Sequence, residues 1–468
     1  MSQIEGKREL LVRPRDLLLW CTLIFLLVSV ASCGVPISRT VETPEGGDTA
    51  QVRSIAGPAG ARPNVLLITI DTLRADHLGA YGNTRVKTPN FDALARSGAR
   101  FDTAIAQFSQ TNPSHASLFT GTYVATHKVR VHGIDTVAPS VTTLAEAMRD
   151  QGYATAGVYS WPSFDAPMSG LDRGFLTYQG VYFDVPGKEG HPDFWRKFGA
   201  RADITTDAAI QWLAGNASRP FFLWIHYQDP HYPFVPPAPF DKMYEPLCQN
   251  CSADGWNMID RIGAGEILSE LEIAQLVAQY DGTISFTDHE IGRLLQWMRD
   301  AKVSDNTLVI ATADHGESFN DNGRWFHPFI LYNSVLRVPL IMRYTPAIPE
   351  GVVVDSVTQS IDVMPTILDL VGAPHPGGIE GRTLWPLLVG AEKGDDRIAV
   401  AELPDESGLA LIAGGWKIIK DLVSGEVELY DLIADPGERI NLASANPSRL
   451  AEMETRLKAW MDSHGIRP

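Results

Sequence analysis

Residues 64–71, NVLLITID, run without interruption from an apolar segment into the carboxylate of Asp71. The segments FFLWI and TLVIATA follow the same pattern, as Phe221–Ile225 before His226 and Thr307–Ala313 before Asp314. Short apolar runs bounded by polar residues predict β-strands that are buried on both faces. Each predicted strand therefore delivers a polar side chain at its C-terminal end.

Helix-like stretches separate these predicted strands along the chain. They are Phe91–Ser97, Val141–Gln151, Ala200–Leu213 and Ser269–Asp300. Strands that alternate with helices predict an α/β domain with a mostly parallel, buried central sheet. Ligands of such sheets bind beyond the carboxyl ends of the strands, so we expect the functional site there.

The beginning of the sequence has the features of a targeting segment. Basic residues precede an apolar run, Leu17–Val28, that is too short to cross a bilayer comfortably. The following VASCG, residues 30–34, resembles the bacterial lipobox, and its glycine resembles the outer-membrane sorting pattern. This resemblance predicts a signal peptide over residues 1–33, a lipidated Cys33 and a lipid-anchored protein of the cell envelope. An uncleaved membrane anchor is the alternative interpretation.

Composition divides the rest of the chain into three regions. Residues 34–61 are rich in Gly, Pro, Ser, Thr and acidic residues and lack hydrophobic periodicity, which predicts a flexible tether. Residues 62–395 are predicted to form the catalytic domain, and residues 396–468 a C-terminal subdomain. The subdomain is predicted to be a small antiparallel sheet with one helix, from Ile398–Glu402, Leu409–Ile412, Trp416–Asp421, Val427–Leu432 and Pro447–Ser463.

The formal net charge of −17 argues against a nucleic-acid partner, which would require a basic face. An anionic substrate must then be held by a local cationic site, and a metal ion would supply one. Of the four cysteines, Cys21 leaves with the signal peptide and Cys33 carries lipid. The spacing of the remaining pair, Cys248 and Cys251, favours a small structural disulfide in an oxidising compartment. A redox motif or half of a zinc site are the alternatives.

Four residues, in three segments, carry candidate metal or nucleophile chemistry. Asp71, at a strand end, can bind a hard cation or can simply cap a helix. Asp314 and His315 form a plausible pair of metal ligands, although an Asp cap beside a buried structural His would look the same. Thr111 is predicted at the N-cap of a helix, where the helix dipole and a bound cation would lower the pKa of its hydroxyl. A threonine that only caps the helix fits the segment equally well.

Ten segments follow the order typical of the sulfatase family and together resemble it over nearly the whole mature chain. They are NVLLITIDTLRADHLGAYG, TPNFDALARSGARFDTAIA, PSHASLFTG, TLAEAMRDQGYATA, ADHGESF, LRVPLIM, IDVMPTILDLVG, GWKIIK, ELYDLIADPGE and NLA. The resemblance implies an α/β sandwich of the alkaline phosphatase kind and a divalent metal at the edge of the sheet. It also implies a small anionic ester, or one derived from a glycan or lipid, as the substrate.

The resemblance also implies roles for individual residues. The implied metal ligands are Asp71, Thr111, Asp314 and His315, with Thr111 as the nucleophile. His226 matches the family histidine that contacts the ester oxygens, and His327 lies near the place of a lysine that contacts the sulfate. His132, in HKVRVHG, could join them in stabilising the equatorial oxygens or in protonating the leaving group.

A second metal ion is also compatible with the resemblance, as in two-metal relatives. Its ligands would be Asp229, His231 and His327. We expect His226, Asp229 and His231 on the loop that follows the strand Phe221–Ile225. The segment DPHYPF, residues 229–234, could instead be a substrate loop.

The chain departs from the family pattern at the positions that decide the chemistry. Sulfatases carry a cysteine or serine, converted to formylglycine, in a CxPSR-type motif, whereas this chain has Thr111 and His115 there. Threonine cannot give that aldehyde, so no formylglycine is expected. Thr72 replaces the second aspartate of the usual pair. VYSWP, residues 158–162, replaces GKWHLG, so two sulfate contacts of the family are missing.

The pattern Thr-x-Pro-[Asn/Ser]-His instead resembles the threonine-nucleophile phosphodiesterases and phosphonate hydrolases of the same superfamily. An imidazole, His315, in place of an amide also moves the preferred ion from calcium toward zinc or manganese. The resulting hypothesis is a hydrolase in which Thr111 attacks phosphorus or sulfur in line and water then cleaves the threonine ester. The alternatives are an arylsulfatase acting without formylglycine, a membrane-associated phospho-group transferase and a non-catalytic protein that binds glycans or envelope components.

Overall fold

The computed structural model describes residues 62–184, 197–244 and 255–467. The predicted signal peptide with Cys33, the tether up to Ala61 and the pair Cys248 and Cys251 lie outside these ranges. The predictions made for them therefore stay predictions. Within the described ranges, none of the helices combines the length and the apolar character that crossing a bilayer requires.

A nine-stranded sheet forms the centre of the described structure. The strands of all the sheets, in chain order, are β1 (Asn64–Ile70), β2 (Ala99–Ile105), β3 (Ala154–Tyr159), β4 (Thr177–Gly180), β5 (Tyr182–Asp184), β6 (Lys197–Gly199), β7 (Phe221–Tyr227), β8 (Thr307–Ala313), β9 (Ser318–Phe319), β10 (Trp325–Phe326), β11 (Arg337–Val338), β12 (Leu340–Arg343), β13 (Val352–Gln359), β14 (Ile398–Glu402), β15 (Gly408–Ala413), β16 (Trp416–Asp421) and β17 (Val427–Asp431). Along the central sheet the order is β11-β2-β12-β8-β1-β7-β3-β4, and β13 pairs with β2 as well. β1 runs parallel to both β7 and β8, whereas β12 is antiparallel to β8. The predicted mostly parallel sheet is thus confirmed.

Helices cover the sheet and connect its strands. They are α1 (Pro89–Arg96), α2 (Thr111–Thr120), α3 (Val124–His127), α4 (Leu144–Asp150), α5 (Ala166–Ser169), α6 (Ala202–Asn216), α7 (Gly255–Gly263), α8 (Glu270–Asp300), α9 (Asn333–Leu336), α10 (Val363–Val371), α11 (Trp385–Leu388) and α12 (Pro447–His464). Single 3₁₀ turns occur at Ala75–His77, Gly79–Tyr81, Pro162–Phe164, Phe240–Lys242, Ser304–Asn306, Asp321–Gly323 and Ser360–Asp362. The long helix α8 begins after Ser269, which forms a capping box with Glu272, and this matches the predicted start.

The three central strands form because their side chains are apolar on both faces. All seven residues of β1 are buried between its parallel neighbours, and so are all seven of β7 and β8. Fully burying one such aliphatic or aromatic side chain contributes about 1.5–3 kcal/mol, so these strands anchor the domain. Their carboxyl ends lie side by side at one edge of the sheet.

Two local predictions were wrong by one or two residues. β7 continues through Tyr227, so His226 lies inside the strand opposite Thr69 and not on the loop that follows it. Pairing with β1 continues to this point because the backbone amide of Asp71 donates to the carbonyl of Tyr227 at 2.9 Å. Thr111 is the first residue of α2, and Gln110 occupies the N-cap position.

The strands β14 to β17 form a separate antiparallel sheet against which α12 packs, as predicted. Buried side chains of both, including Leu411, Leu457 and Trp460, share one apolar cluster. Glu402 at the end of β14 accepts a hydrogen bond of 2.9 Å from the amide of Ala125 in α3. The C-terminal sheet is therefore fixed directly to the segment that follows α2.

Candidate active site

Two carboxylates and two imidazoles meet at the carboxyl edge of the central sheet. Asp71 follows β1, Asp314 and His315 follow β8, and His226 lies near the end of β7. His315 Nε2 lies 3.8 Å from Asp71 Oδ1 and 3.5 Å from Asp314 Oδ2. His226 Nε2 lies 3.7 Å from the other oxygen of Asp71. All four side chains are fully buried.

Most polar atoms of this cluster have no hydrogen-bond partner among the described residues. They are both carboxylate oxygens of Asp71, Asp314 Oδ2, His315 Nε2 and both ring nitrogens of His226. The second oxygen of Asp314 is held in place, since it accepts from the amides of His315 at 2.8 Å and of Thr72 at 3.3 Å. A buried charge without a partner is costly, so the cluster calls for a ligand of opposite charge.

The pKa values of these groups are shifted by burial. Burial raises the pKa of Asp71 well above its usual value, and the charges of Asp314 and Glu317 raise it further. Burial also lowers the pKa of His315 to about 4 and that of His226 well below its ordinary value. Both imidazoles are therefore neutral at neutral pH and can offer lone pairs.

The hydrogen bonds around His315 direct a lone pair into the cluster. His315 Nδ1 lies 3.0 Å from the carbonyl oxygen of Gly316, which can only accept, so Nδ1 carries the proton. Its Nε2 is then the unprotonated nitrogen, and this atom faces Asp71 and Asp314. A backbone acceptor behind a histidine is the usual way in which proteins orient a metal ligand.

The donor set fits a divalent cation. The ligand atoms of Asp71, Asp314 and His315 all lie within 4.8 Å of one another, as do those of His115, His226 and Asp314. In the second group both ring nitrogens of His115 are already hydrogen-bonded, as described below. Among these two groups, Asp71, Asp314 and His315 are therefore the better candidate ligands for a cation, with His226 beside them.

His115 holds the start of α2 through hydrogen bonds to Thr111 and Thr69. Its Nδ1 donates to the carbonyl oxygen of Thr111 at 2.8 Å, and its Nε2 lies 2.9 Å from the hydroxyl of Thr69. That hydroxyl accepts from Trp224 Nε1 at 2.9 Å, so its own proton points to His115. The network fixes the tautomer of His115 and anchors the turn that carries Thr111.

Further hydrogen bonds connect the first turn of α2 with the carboxylate and imidazole cluster. The Ser114 hydroxyl donates to the carbonyl oxygen of Asp314 at 2.6 Å. The side chain of Asn112 exchanges hydrogen bonds with Ser163, at 2.6 and 3.0 Å. Thr111 therefore lies at the buried N-terminus of a helix, and the same turn is bonded to a candidate metal ligand.

Three more histidines lie close to the cluster. His327 packs against His315 with ring centroids 4.7 Å apart and against His231 at 4.9 Å. His327 Nδ1 lies 3.0 Å from Glu317 Oε1, and Glu317 is buried, which raises the pKa of its carboxyl group. The Nε2 of His132 accepts from Trp161 Nε1 at 3.2 Å. The structure thus gathers His132, His231 and His327, three residues selected from the sequence.

Asp229 does not join this group. Its carboxylate accepts a hydrogen bond of 2.8 Å from the amide of Ala202 at the start of α6, where it acts as a helix cap. Burial raises its pKa to about 7. Among the described residues, Asp229, His231 and His327 do not bring their ligand atoms within 4.8 Å of one another.

A series of contacting rings extends from the carboxylate and imidazole cluster toward the surface. Successive centroid distances are 4.7 Å from His315 to His327, 4.9 Å to His231, 5.4 Å to Trp161, 5.9 Å to Phe198 and 6.1 Å to Phe183. Phe183 is 50% exposed. A series of contacting rings therefore connects the site with an exposed aromatic side chain.

Sequence reasoning missed three residues of this site. Glu317 stands two positions after His315, and that proximity was the available signal for its contact with His327. Asn112 stands next to Thr111, but only the fold brings Ser163 to it. Tyr280, whose hydroxyl donates to the carbonyl of Thr72 at 2.7 Å, comes from the middle of α8 and gives no local signal.

Comparisons with known proteins identify the family of this chain. The family model described as Sulfatase matches residues 63–373, and the model for the C-terminal part of N-sulphoglucosamine sulphohydrolase matches residues 321–464. The multifunctional alkaline phosphatase superfamily protein PehA of Trinickia caryophylli is 28% identical, over 87% of this chain and 96% of its own. An N-acetylglucosamine-6-O-sulfatase of Bacteroides thetaiotaomicron is 26% identical, over 81% and 82%.

Solved structures of similar fold include two phosphonate monoester hydrolases. The enzyme of Agrobacterium radiobacter superimposes with a TM-score of 0.71 at 24% identity, over 86% of this chain and 96% of the other. The enzyme from Silicibacter pomeroyi gives a TM-score of 0.67 at 26% identity, over 86% and 95%. The fold and the site define a hydrolase of sulfuric or phosphoric esters. The chain belongs to the sulfatase family.

The raised pKa of Asp71 predicts how the metal-free protein responds to pH. The folded state holds this proton more tightly than the unfolded chain, so the contribution of Asp71 to stability is lost as pH rises through the raised pKa. We expect Asp71→Asn to raise the Tm of chelator-treated protein, more at about pH 8 than at about pH 5. It should also abolish the rise in Tm that a divalent cation causes in the wild type. Thermal unfolding followed by circular dichroism measures both.

Asp321→Asn is the matched control of opposite sign. Burial of Asp321 is outweighed by the Arg74 guanidinium, which lowers the pKa of this carboxyl group. This variant should lower the Tm at neutral pH and keep the response to the cation. An Asp71→Asn protein that is no more stable than the wild type at any pH would contradict the assignment.

Proposed function

We propose that the protein is an extracytoplasmic, metal-dependent hydrolase that cleaves sulfate esters or, preferentially, phosphate or phosphonate mono- and diesters through a covalent intermediate on Thr111. The observation that carries the proposal is the buried, unpartnered set of Asp71, Asp314, His315 and His226 beside the N-terminus that begins with Thr111. A hydroxyl at a helix N-terminus is in a position that favours its anion.

The reaction would proceed in two displacements. The Thr111 hydroxyl gives its proton to solvent or to a neutral imidazole of the site, and Oγ1 attacks phosphorus or sulfur in line while the bond to the ester oxygen breaks. The departing alcohol takes up a proton, and water then cleaves the threonine ester and restores the hydroxyl. A divalent cation, when bound, supplies the positive charge that favours the alkoxide and balances the carboxylates.

The surrounding side chains divide into two groups in this proposal. His226 faces Asp71 and is assigned to the cation side of the site. His327, which packs against His315, would stabilise the equatorial oxygens or protonate the leaving group. Burial lowers the pKa of His132 to about 3, so this neutral imidazole would take part only in stabilising the oxygens. Glu317 fixes the ring of His327, because its carboxylate lies against Nδ1.

A preference for phosphorus esters is supported by the nucleophile. Threonine cannot become formylglycine, and the chain lacks the GKWHLG segment from which sulfatases of the family supply sulfate contacts. The solved phosphonate monoester hydrolase of 26% identity is consistent with this preference. The alcohol part of the substrate would bear a ring, as a glycan or an aryl ester does, since the contacting rings of His231, Trp161, Phe198 and Phe183 lie beside the site. The N-acetylglucosamine-6-O-sulfatase similarity agrees with a glycan.

The assignment of the nucleophile is tested with nitrophenyl sulfate, phosphate, phosphodiester and phosphonate as parallel substrates. Thr111→Ala should lower kcat/KM on the preferred ester on the order of 10³-fold or more, because the covalent step is lost. Thr111→Ser should keep measurable turnover. A rapid acid quench of the wild type should give a phosphorylated or sulfated peptide that contains Thr111.

Thr120→Ala is the matched control, because Thr120 is a buried threonine at the other end of the same helix. It should change kcat/KM by no more than about threefold. Undiminished turnover in Thr111→Ala would remove the nucleophile assignment. Activity on nitrophenyl sulfate alone would instead favour an arylsulfatase that acts without formylglycine.

We expect zinc or manganese in preference to calcium at the site. Calcium takes six to eight oxygen ligands, whereas imidazole nitrogens suit zinc and similar ions. After chelation and dialysis, Zn²⁺ or Mn²⁺ should restore nitrophenyl ester hydrolysis, and Ca²⁺ at equal concentration should not. Full recovery with Ca²⁺ would contradict this part of the proposal.

The lipid anchor at Cys33 remains a proposal that rests on the sequence of residues 30–34. In a bacterial host, metabolic labelling with a fatty acid should mark the wild-type protein. Cys33→Ser should abolish the label and leave an unprocessed chain of higher mass, since both acylation and cleavage require the cysteine. Equal labelling of both proteins would rule out this anchor.

A further inference from the structure

Thr72 has a backbone conformation that threonine rarely adopts. Its φ is +57°, in the left-handed region, and it directly follows Asp71. A β-branched side chain is unfavourable there, because its Cβ approaches the backbone, and glycine or asparagine is the usual choice. Strain of this kind persists only where surrounding structure enforces it, and it concentrates at functional sites.

Two contacts enforce this conformation. The Tyr280 hydroxyl donates to the carbonyl oxygen of Thr72 at 2.7 Å and accepts from the amide of Arg74 at 2.9 Å. On the other side, the amide of Thr72 donates to Asp314 Oδ1 at 3.3 Å. The turn is therefore held between the long helix α8 and a candidate metal ligand.

The hydroxyl of Thr72 brings no visible benefit to the fold. The side chain is fully buried, and Oγ1 has no hydrogen-bond partner among the described residues. A buried hydroxyl without a partner is destabilising, and valine would fill nearly the same volume without that penalty. The strained backbone and the unpaired donor thus coincide in one residue, next to the carboxylate cluster.

We propose that the Thr72 hydroxyl is a catalytic hydrogen-bond donor to a non-bridging oxygen of the group transferred to Thr111, and that Tyr280 is the positioning residue that aims it. The inference rests on the proposed function of the same site. The Thr72 hydroxyl is only three bonds from the Thr72 backbone amide, which contacts Asp314. The hydroxyl therefore lies at the edge of the sheet where Asp71 and Asp314 meet. An anionic substrate oxygen then becomes the acceptor that this donor lacks.

The variant that isolates the donor is Thr72→Val. We expect it to keep a stoichiometric divalent ion and to unfold at a Tm equal to or up to about 5 °C above that of the wild type. Its kcat should fall on the order of 10²-fold with little change in KM, because the hydrogen bond is made mainly in the transition state. Calorimetric binding of vanadate should weaken more than that of inorganic phosphate. Thr72→Ser should keep kcat within about tenfold of the wild type.

The role of Tyr280 is tested by Tyr280→Phe alone and together with Thr72→Val. Removing the clamp should lower kcat, and the double variant should be no slower than Thr72→Val, since the clamp acts through that hydroxyl. Tyr81→Phe is a matched control. The Tyr81 hydroxyl also donates to a backbone carbonyl and accepts from a backbone amide, both of Leu340, but at a turn outside the site.

Three results would overturn the inference. They are a kcat of Thr72→Val within twofold of the wild type, a Tm several degrees lower, or a loss of the bound ion. Additive losses in the double variant would remove Tyr280 from the positioning role. Failure of the proposed function is recognised separately, because it appears in the wild type as missing ester hydrolysis or in Thr111→Ala as undiminished turnover.

Discussion

The unpaired charge at the carboxyl edge of β1, β7 and β8 is the constraint on which the rest of the structure depends. Asp71 and Asp314 are fully buried beside neutral imidazoles, an arrangement that is unfavourable until a cation enters. The apolar strands provide the rigid support for it. Helix α2, through Ser114 and His115, and helix α8, through Tyr280, then hold the loops around the cluster in one geometry.

The central strands were predictable because their sequences are continuously apolar and end in a charged residue. β1 and β8 have the predicted bounds, and Asp71 and Asp314 lie where those strands indicated. β7 extends two residues further than predicted, because His226 and Tyr227 read as polar loop residues in isolation. A histidine is tolerated inside this strand since it faces a carboxylate cluster. Composition alone does not reveal that environment.

Contacts between distant parts of the chain were not predictable from local patterns. The bond from Tyr280 to Thr72 spans 208 positions, and no periodicity marks Tyr280 among the residues of α8. Asp229 was grouped with His231 and His327 by the resemblance to two-metal relatives, yet it caps α6. The positive φ of Thr72 is likewise a tertiary effect, since a β-branched residue gives no sign of a left-handed turn.

The end of α2 and the short helix α3 after it are held by residues from the C-terminal part of the chain. Gly121 ends α2 and accepts from the amide of Glu380, while Glu402 of β14 receives the amide of Ala125. A terminal segment borrowed from a relative would have to present the Glu402 carboxylate to Ala125 and keep the Glu380 amide opposite Gly121. The segment around the end of α2 and the C-terminal part of the chain are therefore expected to change together in evolution. Recombination between family members should succeed only where it exchanges both as one unit.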